Sequence, residues 1–335
     1  MNLTIAAGFT IACLAIANLQ AQSSGAGALL VLAKSDRTLS LVDPDTLRVI
    51  ATAPSGPDPH EVAVSADGRV AYISNYNGGN NIISVVDVTG MKALPPIDLG
   101  PLRAPHGLAF AAGKLWFTAE ASKVIGSYDT GSGKVDWVLG TGQNRTHMII
   151  VSPDQTWMAT SNVGSATLTF VQKAAPANEA RPAGSQPEWN VTVVPVGRGA
   201  EGFDLSPDGR EIWAANAQDG TISIVDIATK QVTQTLAAQV GGANRLKFTP
   251  DGRLVLVSTL GGSELTIFDA STRKEVKRLP VGRAAGIQMQ PDGSRAYVAC
   301  TPQNHVAVID LKTLAVVGRI EAGRQPDGLA WVARR

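Results

Sequence analysis

Short apolar runs separated by tight turns recur along most of the chain. The turns share a pattern: SADGR at Ser65, SPDQT at Ser152, SPDGR at Ser206, TPDGR at Thr249, QPDGS at Gln290, and a degenerate AAGKL at Ala111. One apolar run precedes each turn, as in Glu61-Val62-Ala63-Val64, and another follows it, as in Ala71-Tyr72-Ile73-Ser74-Asn75. Runs of this length flanking an Asp-Gly turn predict β-hairpins. Each unit continues into a third run that ends on an apolar residue and Asp, such as Val85-Val86-Asp87 or Ile224-Val225-Asp226. A fourth run, such as Glu275 to Val281, then closes on Gly.

Third runs fall at Leu39–Asp43, Ile83–Asp87, Val124–Asp129, Thr167–Gln172, Thr221–Asp226, Leu265–Asp269 and Val306–Asp310. Seven units of four strands at a spacing of 41 to 45 residues predict an all-β, seven-bladed β-propeller. The first unit starts at its second strand, Leu29 to Lys34, and lacks an inner one. The chain ends on Asp327-Gly328-Leu329-Ala330-Trp331-Val332, which has the inner-strand pattern. Blade one is therefore expected to be closed by the C-terminal strand, removing an open sheet edge. Blade four is longer, with 54 residues from Asp154 to Asp208, because of an Ala/Pro-rich insertion over 174–188. A single domain over residues 22–335 follows.

The strings AYISN at Ala71, IWAAN at Ile212 and AYVAC at Ala296 resemble the YVTN-type propeller repeat. The repeating part of the chain is similar to that exported family, whose wider relatives include lactonase-like propellers similar to 6-phosphogluconolactonase. The resemblance implies the fold. It carries over no catalytic residue, since one propeller scaffold hosts many chemistries.

Residues 1–21 differ from the rest: an apolar stretch from Leu3 to Leu19 without acid or base, then small and polar residues. This reads as a secretory signal peptide, implying a periplasmic or secreted protein with no membrane insertion after cleavage. Beyond it only Cys300 remains of the cysteines, so no internal disulfide is expected. Basic and acidic residues number 29 and 28 and are spread along the chain, which argues against a nucleic-acid surface.

Inner strands of a propeller begin at one face, so one repeat position forms a ring around the central channel. The residue two before the first apolar residue of each inner strand is Asp327, His60, His106, His147, Glu201, Asn244 and Ala285, in blade order. Three of the four histidines thus occupy one position in consecutive blades, flanked by acids. His60, His106 and His147 with Glu201 form a donor set suited to a divalent metal ion, whether zinc, iron, manganese or calcium. Such a metal would act as Lewis acid or hydroxide generator. The residue-level alternatives are a metal-free acid–base site and a structural role copied by duplication.

Arg103, Arg198 and Arg324 lie three residues before their ring positions, Arg145 and Arg283 two before, and Arg245 just after Asn244. Together with Asn244 they are candidates to hold an anionic small-molecule substrate. Glu61, Glu201 and Asp327 are the candidate bases. His305 opens the third strand of blade seven, while Asn75, Asn162 and Asn216 end second strands, where left-handed turns would make them structural. The six tryptophans are expected between blades. Two functions fit: an exported metal-dependent lactone or ester hydrolase, or lyase, and a non-catalytic binding or scaffold protein.

Overall fold

The structure, a computed structural model, describes residues 27–76, 79–174 and 189–333. The signal segment lies outside these residues, as does the blade-four insertion apart from Ala174. Strands β1 to β28 form seven four-stranded antiparallel sheets, each one blade. Blade one combines β28 (Pro326–Ala333) with β1 (Gly27–Ala33), β2 (Thr38–Asp43) and β3 (Arg48–Pro54). Leu29 pairs with Trp331 and Val31 with Leu329, so the two ends of the described chain close the ring. The seven-bladed architecture expected from the repeat is the one formed.

Second strands read as unbroken apolar runs because each is covered on both sides. Side chains alternate faces along a strand. Leu30 and Leu32 of β1 pack toward blade two with Ala71, Ile73 and Val86, whereas Leu29 and Val31 pack toward blade seven with Tyr297, Val306 and Val308. Among the described residues the core divides into seven such clusters, one at each blade interface. All six tryptophans belong to them. Fourth strands are outermost and largely exposed, as in Lys274–Pro280.

The conserved spacing of the turns has a hydrogen-bond cause. In the SPDGR turn, Ser206 Oγ donates to Asp208 Oδ1, which also accepts from the Arg210 amide; the Glu211 amide in turn donates to Ser206 Oγ. Asp at the third-strand end takes the next amides of the following turn: Asp310 accepts from the Lys312 and Thr313 amides. Asn75, Asn162 and Asn216 are structural, but not through left-handed backbone. Asn216 Nδ2 donates to Thr221 and Ser223 of the third strand, and Asn75 Nδ2 to the carbonyls of Ser55 and Pro57 in the interblade loop.

Candidate functional site at the channel mouth

The inner strands of blades two to seven are β4 (Pro59–Val64), β8 (Pro105–Ala111), β12 (Thr146–Val151), β16 (Ala200–Leu205), β20 (Ala243–Phe248) and β24 (Ile287–Met289). In β4, β8, β12, β16 and β20 the pairing register slips next to the ring residue, for example between Pro105 and Leu108. Bulges of this kind re-aim side chains. In four of the five, all but β16 where Ala215 stands at the matching position, the freed amide is taken by a hydroxyl on the second strand: Glu61 N by Ser74, Gly107 N by Thr118, Met148 N by Ser161, Arg245 N by Ser258. Three of these hydroxyls also donate to a carbonyl of the next blade's ring residue, Thr118 to His147, Ser161 to Glu201 and Ser258 to Ala285. The serine or threonine of the repeat motif thus welds neighbouring blades at the ring.

Glycine follows the ring residue where blades approach most closely. A Cβ on Gly107, Gly202, Gly286 or Gly328 would meet the backbone of the next blade at His147, Arg245, Asp327 or His60. Blades two, four and six carry Glu61, Met148 and Arg245 there instead. Glu61 and Arg245 pair directly across the channel, with side-chain exposures of 16% and 6%. Glu61, a candidate base by sequence, is committed to that ion pair.

All seven predicted ring residues, Asp327, His60, His106, His147, Glu201, Asn244 and Ala285, line one cavity of about 190 Å³. The cavity is completed by Lys34, Tyr76, Arg145, Arg245, Leu260 and Thr301. Glu120 supports it from behind, accepting from Tyr76 Oη, from His147 Nδ1 at 2.9 Å and from Arg145 Nε at 3.2 Å. Lys34, Tyr76, Glu120, Leu260 and Thr301 were not found from the sequence. Each stands one residue past the end of a second strand, so they form a second ring that the same repeat logic would have exposed.

The predicted arginine collar is mostly elsewhere. Arg198 Nε pairs with Asp219, Arg324 Nε with Asp36, Arg103 donates to the Gly79 carbonyl and Arg283 to that of Leu260, and none of the four lines the cavity. Only Arg145 and Arg245 do. His305 is buried, with Nδ1 near the Gln303 carbonyl, and stands apart from the mouth.

His60, Tyr76, His106 and His147 form a contiguous aromatic wall, with His106 and His147 centroids 3.7 Å apart. The two inner imidazoles have opposite electrostatics. Burial, then the charges of His147 and Arg245, push His106 well below its ordinary value. Burial also works against protonating His147, but the contacts with Glu120 and Glu201 outweigh it and raise that pKa. Glu201 is lowered to about 2 despite its burial, by the His147 contact and charge and by Arg245. His147 Nε2 lies 3.1 Å from Glu201 Oε1, within ion-contact range but off the line of a hydrogen bond. Tyr76 is pushed up to about 12 by burial and by donating to Glu120.

The three-histidine metal arrangement anticipated from the sequence meets a specific obstacle. Lys34 Nζ donates to His60 Nε2, His60 Nδ1 faces the Asp58 carbonyl, and both nitrogens of His147 face carboxylates. Among the described residues no group of three or more His, Cys, Asp or Glu is arranged to hold a metal ion. Only His106 is uncommitted: its Nδ1 is buried with no partner.

The fold is shared with a protein of unknown function from Desulfotomaculum acetoxidans, at TM-score 0.74 and 14% identity over 92% of this chain and 99% of that one. A candidate 6-phosphogluconolactonase from Bacteroides fragilis is as similar, at TM-score 0.74 and 17% identity over 92% and 98%. The dihydro-heme d1 dehydrogenase NirN, in complex with DHE, aligns at TM-score 0.63 and 16% identity over 91% and 75%. At these identities the likeness shows the fold alone. An uncharacterized WD repeat-containing protein of Synechocystis is 24% identical over 62% of this chain, which spans about half of that relative's length.

A family model, that of the cytochrome D1 heme domain, matches residues 85–289, from the third strand of blade two to the inner strand of blade seven. Its description implies a tetrapyrrole, and the mouth does not fit one. At about 190 Å³ the cavity falls below the roughly 300 Å³ at which pockets for drug-sized ligands begin. His106, the histidine with a free nitrogen, is 2% exposed and wedged between other rings. The match nonetheless covers more than half of the sequence, and on it the chain belongs to the cytochrome D1 heme domain family.

Proposed function

We propose that the channel mouth is an acid–base catalytic site acting on a small molecule, with lactone or ester hydrolysis as the reaction it fits first. One observation carries the reading: two imidazoles in contact whose surroundings push their pKa values in opposite directions. Such a pair supplies a neutral base beside a fixed positive charge near neutral pH. His106 removes a proton from water as the water oxygen bonds to the carbonyl carbon. His106 then returns that proton to the leaving oxygen as the ring or ester C–O bond breaks, while His147, held charged between Glu120 and Glu201, supplies positive charge beside it. A lactone gives a hydroxy acid and an ester gives an acid and an alcohol, and His106 ends neutral as it began. Glu120 and Glu201 hold His147 in its charged form, and Tyr76 orients Glu120. Positioned acid–base groups contribute about 10²–10⁴ in rate.

A metal is not needed in this reading, because His60 and His147 spend their nitrogens on protein partners. The reading leaves the protein's location in the cell open, and an exported enzyme fits the leader-like sequence at its start. The test is hydrolysis of a panel including γ-butyrolactone, glucono-1,5-lactone and 4-nitrophenyl acetate, by wild type, His106→Gln and His147→Gln, with and without a chelator. A turnover that both substitutions reduce at least about 100-fold and the chelator does not touch supports the proposal. Chelator-sensitive turnover restored by zinc or iron would return the site to metal chemistry. No turnover of any panel member would favour a non-catalytic binding propeller.

A further inference from the structure

We propose that Arg145 is the specificity-determining residue of the mouth and selects small lactones or esters that carry a carboxylate on the carbon bearing the leaving oxygen. The inference rests on the acid–base reading of the same site, and adds to it the chemical class of the substrate.

The cations around the cavity are not equivalent. Lys34 donates to Asp327 at 2.7 Å and to His60. Arg245 is buried, with Nη1 on the carbonyl and side chain of Asn244 and Nη2 on Glu61. Arg145 places Nε 3.2 Å from Glu120 and lies beside the Tyr76 hydroxyl, and among the described residues its guanidinium pairs with no carboxylate other than Glu120. Its side chain is 49% exposed and lines the cavity. A guanidinium with a free edge at the rim is a preformed bidentate seat for a carboxylate.

Net charge would not do this selecting. Glu61, Glu120, Glu201 and Asp327 are balanced by Lys34, Arg145, Arg245 and the charged His147. A bound carboxylate would draw on Arg145, and Glu120 would lose little by it, since Tyr76 and His147 still donate to it. The backbone also singles out this side chain by its chemistry. Arg145 sits at φ 55°, a left-handed turn position that recurs as Asp58, Ala104, Gly199, Gly242 and Gln325 in other blades. Six blades therefore share this turn and blade four alone carries a cation on it, while Arg283, at the same offset in blade seven, is outside the left-handed region and donates to the Leu260 carbonyl. The cavity has room for about six waters at roughly 30 Å³ each, which limits the substrate to about the size of a carboxylated five-membered lactone.

The experiment compares kcat/KM for 5-oxotetrahydrofuran-2-carboxylate with that for uncharged γ-butyrolactone, in wild type, Arg145→Met and Arg145→Lys. Folding of each is checked by circular dichroism and thermal unfolding. Wild type should prefer the carboxylated lactone. The preference should fall about 10–100-fold in Arg145→Met and by an intermediate amount in Arg145→Lys, which keeps the charge and loses the fork. Arg198→Met, whose guanidinium lies outside the cavity on Asp219, should keep the wild-type ratio. An unchanged ratio in Arg145→Met overturns the inference. If neither lactone is hydrolysed, calorimetric titration of the carboxylated one separates the two claims. Binding lost in Arg145→Met sustains carboxylate recognition while the hydrolase reading fails, and absence of binding overturns the inference.

Discussion

Removing one member of the Glu61–Arg245 pair should destabilise the propeller more than removing both. The pair joins blade two to blade six across the channel, with both side chains largely shielded from water. Breaking a buried pair from one side costs about 3–5 kcal/mol because the remaining charge is stranded. Glu61→Leu should fall at the lower end, about 3 kcal/mol, because Arg245 keeps the Asn244 carbonyl and lies near Asp327 and Glu201. Arg245→Met should cost about 2 kcal/mol, below that range, since the Glu61 side chain is 16% exposed and can reach water. The double variant, with two apolar side chains of similar length facing each other, should lie within about 1 kcal/mol of wild type. The implied coupling is about 4–6 kcal/mol, above the usual range for contacting residues. Urea unfolding followed by both circular dichroism and tryptophan fluorescence gives the four free energies, provided the two signals coincide. If the single costs simply add in the double variant, to within about 0.5 kcal/mol, the pair is not a coupled plug and the reasoning fails.

Stability should depend on pH through the two inner histidines with opposite signs. An unfolded chain protonates His106 near its ordinary value of 6.5 while the folded protein refuses the proton, so stability falls as pH drops below 6.5 toward the lowered folded value. The His147 contribution is complete below 6.5 and is lost as pH rises through its raised folded value. Tm measured from pH 4.5 to 9 (roughly the window between ordinary carboxylate and amine titration) should lose its acid-side slope in His106→Gln and its upper slope in His147→Gln. Thr118→Val removes a buried hydroxyl that accepts from the Gly107 amide and donates to the His147 carbonyl, so about 2–4 kcal/mol should be lost in urea titration. Gly286→Ala drives a methyl against the Asp327 carbonyl of the next blade, where backbone must move. It should cost at least the ~1–3 kcal/mol of ordinary overpacking and shift Tm measurably, whereas Gly140→Ala, with open space around the added carbon, should not.

The fold was legible because each blade repeats the same turn chemistry. Asp208 and its equivalents fix the hairpin, and Asp310 and its equivalents fix the next turn. The inner ring was legible for the same reason: a repeat position is also an angular position, so His60, His106 and His147 had to meet at one mouth. The second ring escaped because Tyr76 and Glu120 stand just past their strands, in segments whose sequence differs from blade to blade. Direction was the other thing hidden. Arg198 and Arg145 sit at neighbouring offsets from their ring residues, yet Arg198 bends outward because Asp219 waits on the adjacent hairpin, while Arg145 turns inward to Glu120. Which way a long side chain leans depends on partners elsewhere in the chain, Glu120 on the neighbouring blade and Asp219 on another hairpin of the same blade, and linear spacing carries no record of them.

Parity adds one more constraint on what the mouth can hold. Going round the ring, glycine and a larger residue alternate at the position after the ring residue: Gly328, Glu61, Gly107, Met148, Gly202, Arg245, Gly286. Seven is odd, so the alternation must fail once, and it fails between blades seven and one, where Gly286 and Gly328 are neighbours. That sector also holds the smallest ring residue, Ala285, with Leu260 and Thr301 beside it. Opposite stands blade four, with His147 and Arg145, next to His106 of blade three. Ala285, Leu260 and Thr301 therefore form an uncharged stretch of lining, bounded by Asp327 and Lys34 of blade one and Arg245 of blade six, that faces the charged His147 and Arg145. A carboxylated lactone seated on Arg145 would turn its methylene edge toward Leu260 and Ala285, leaving its carbonyl beside the two imidazoles.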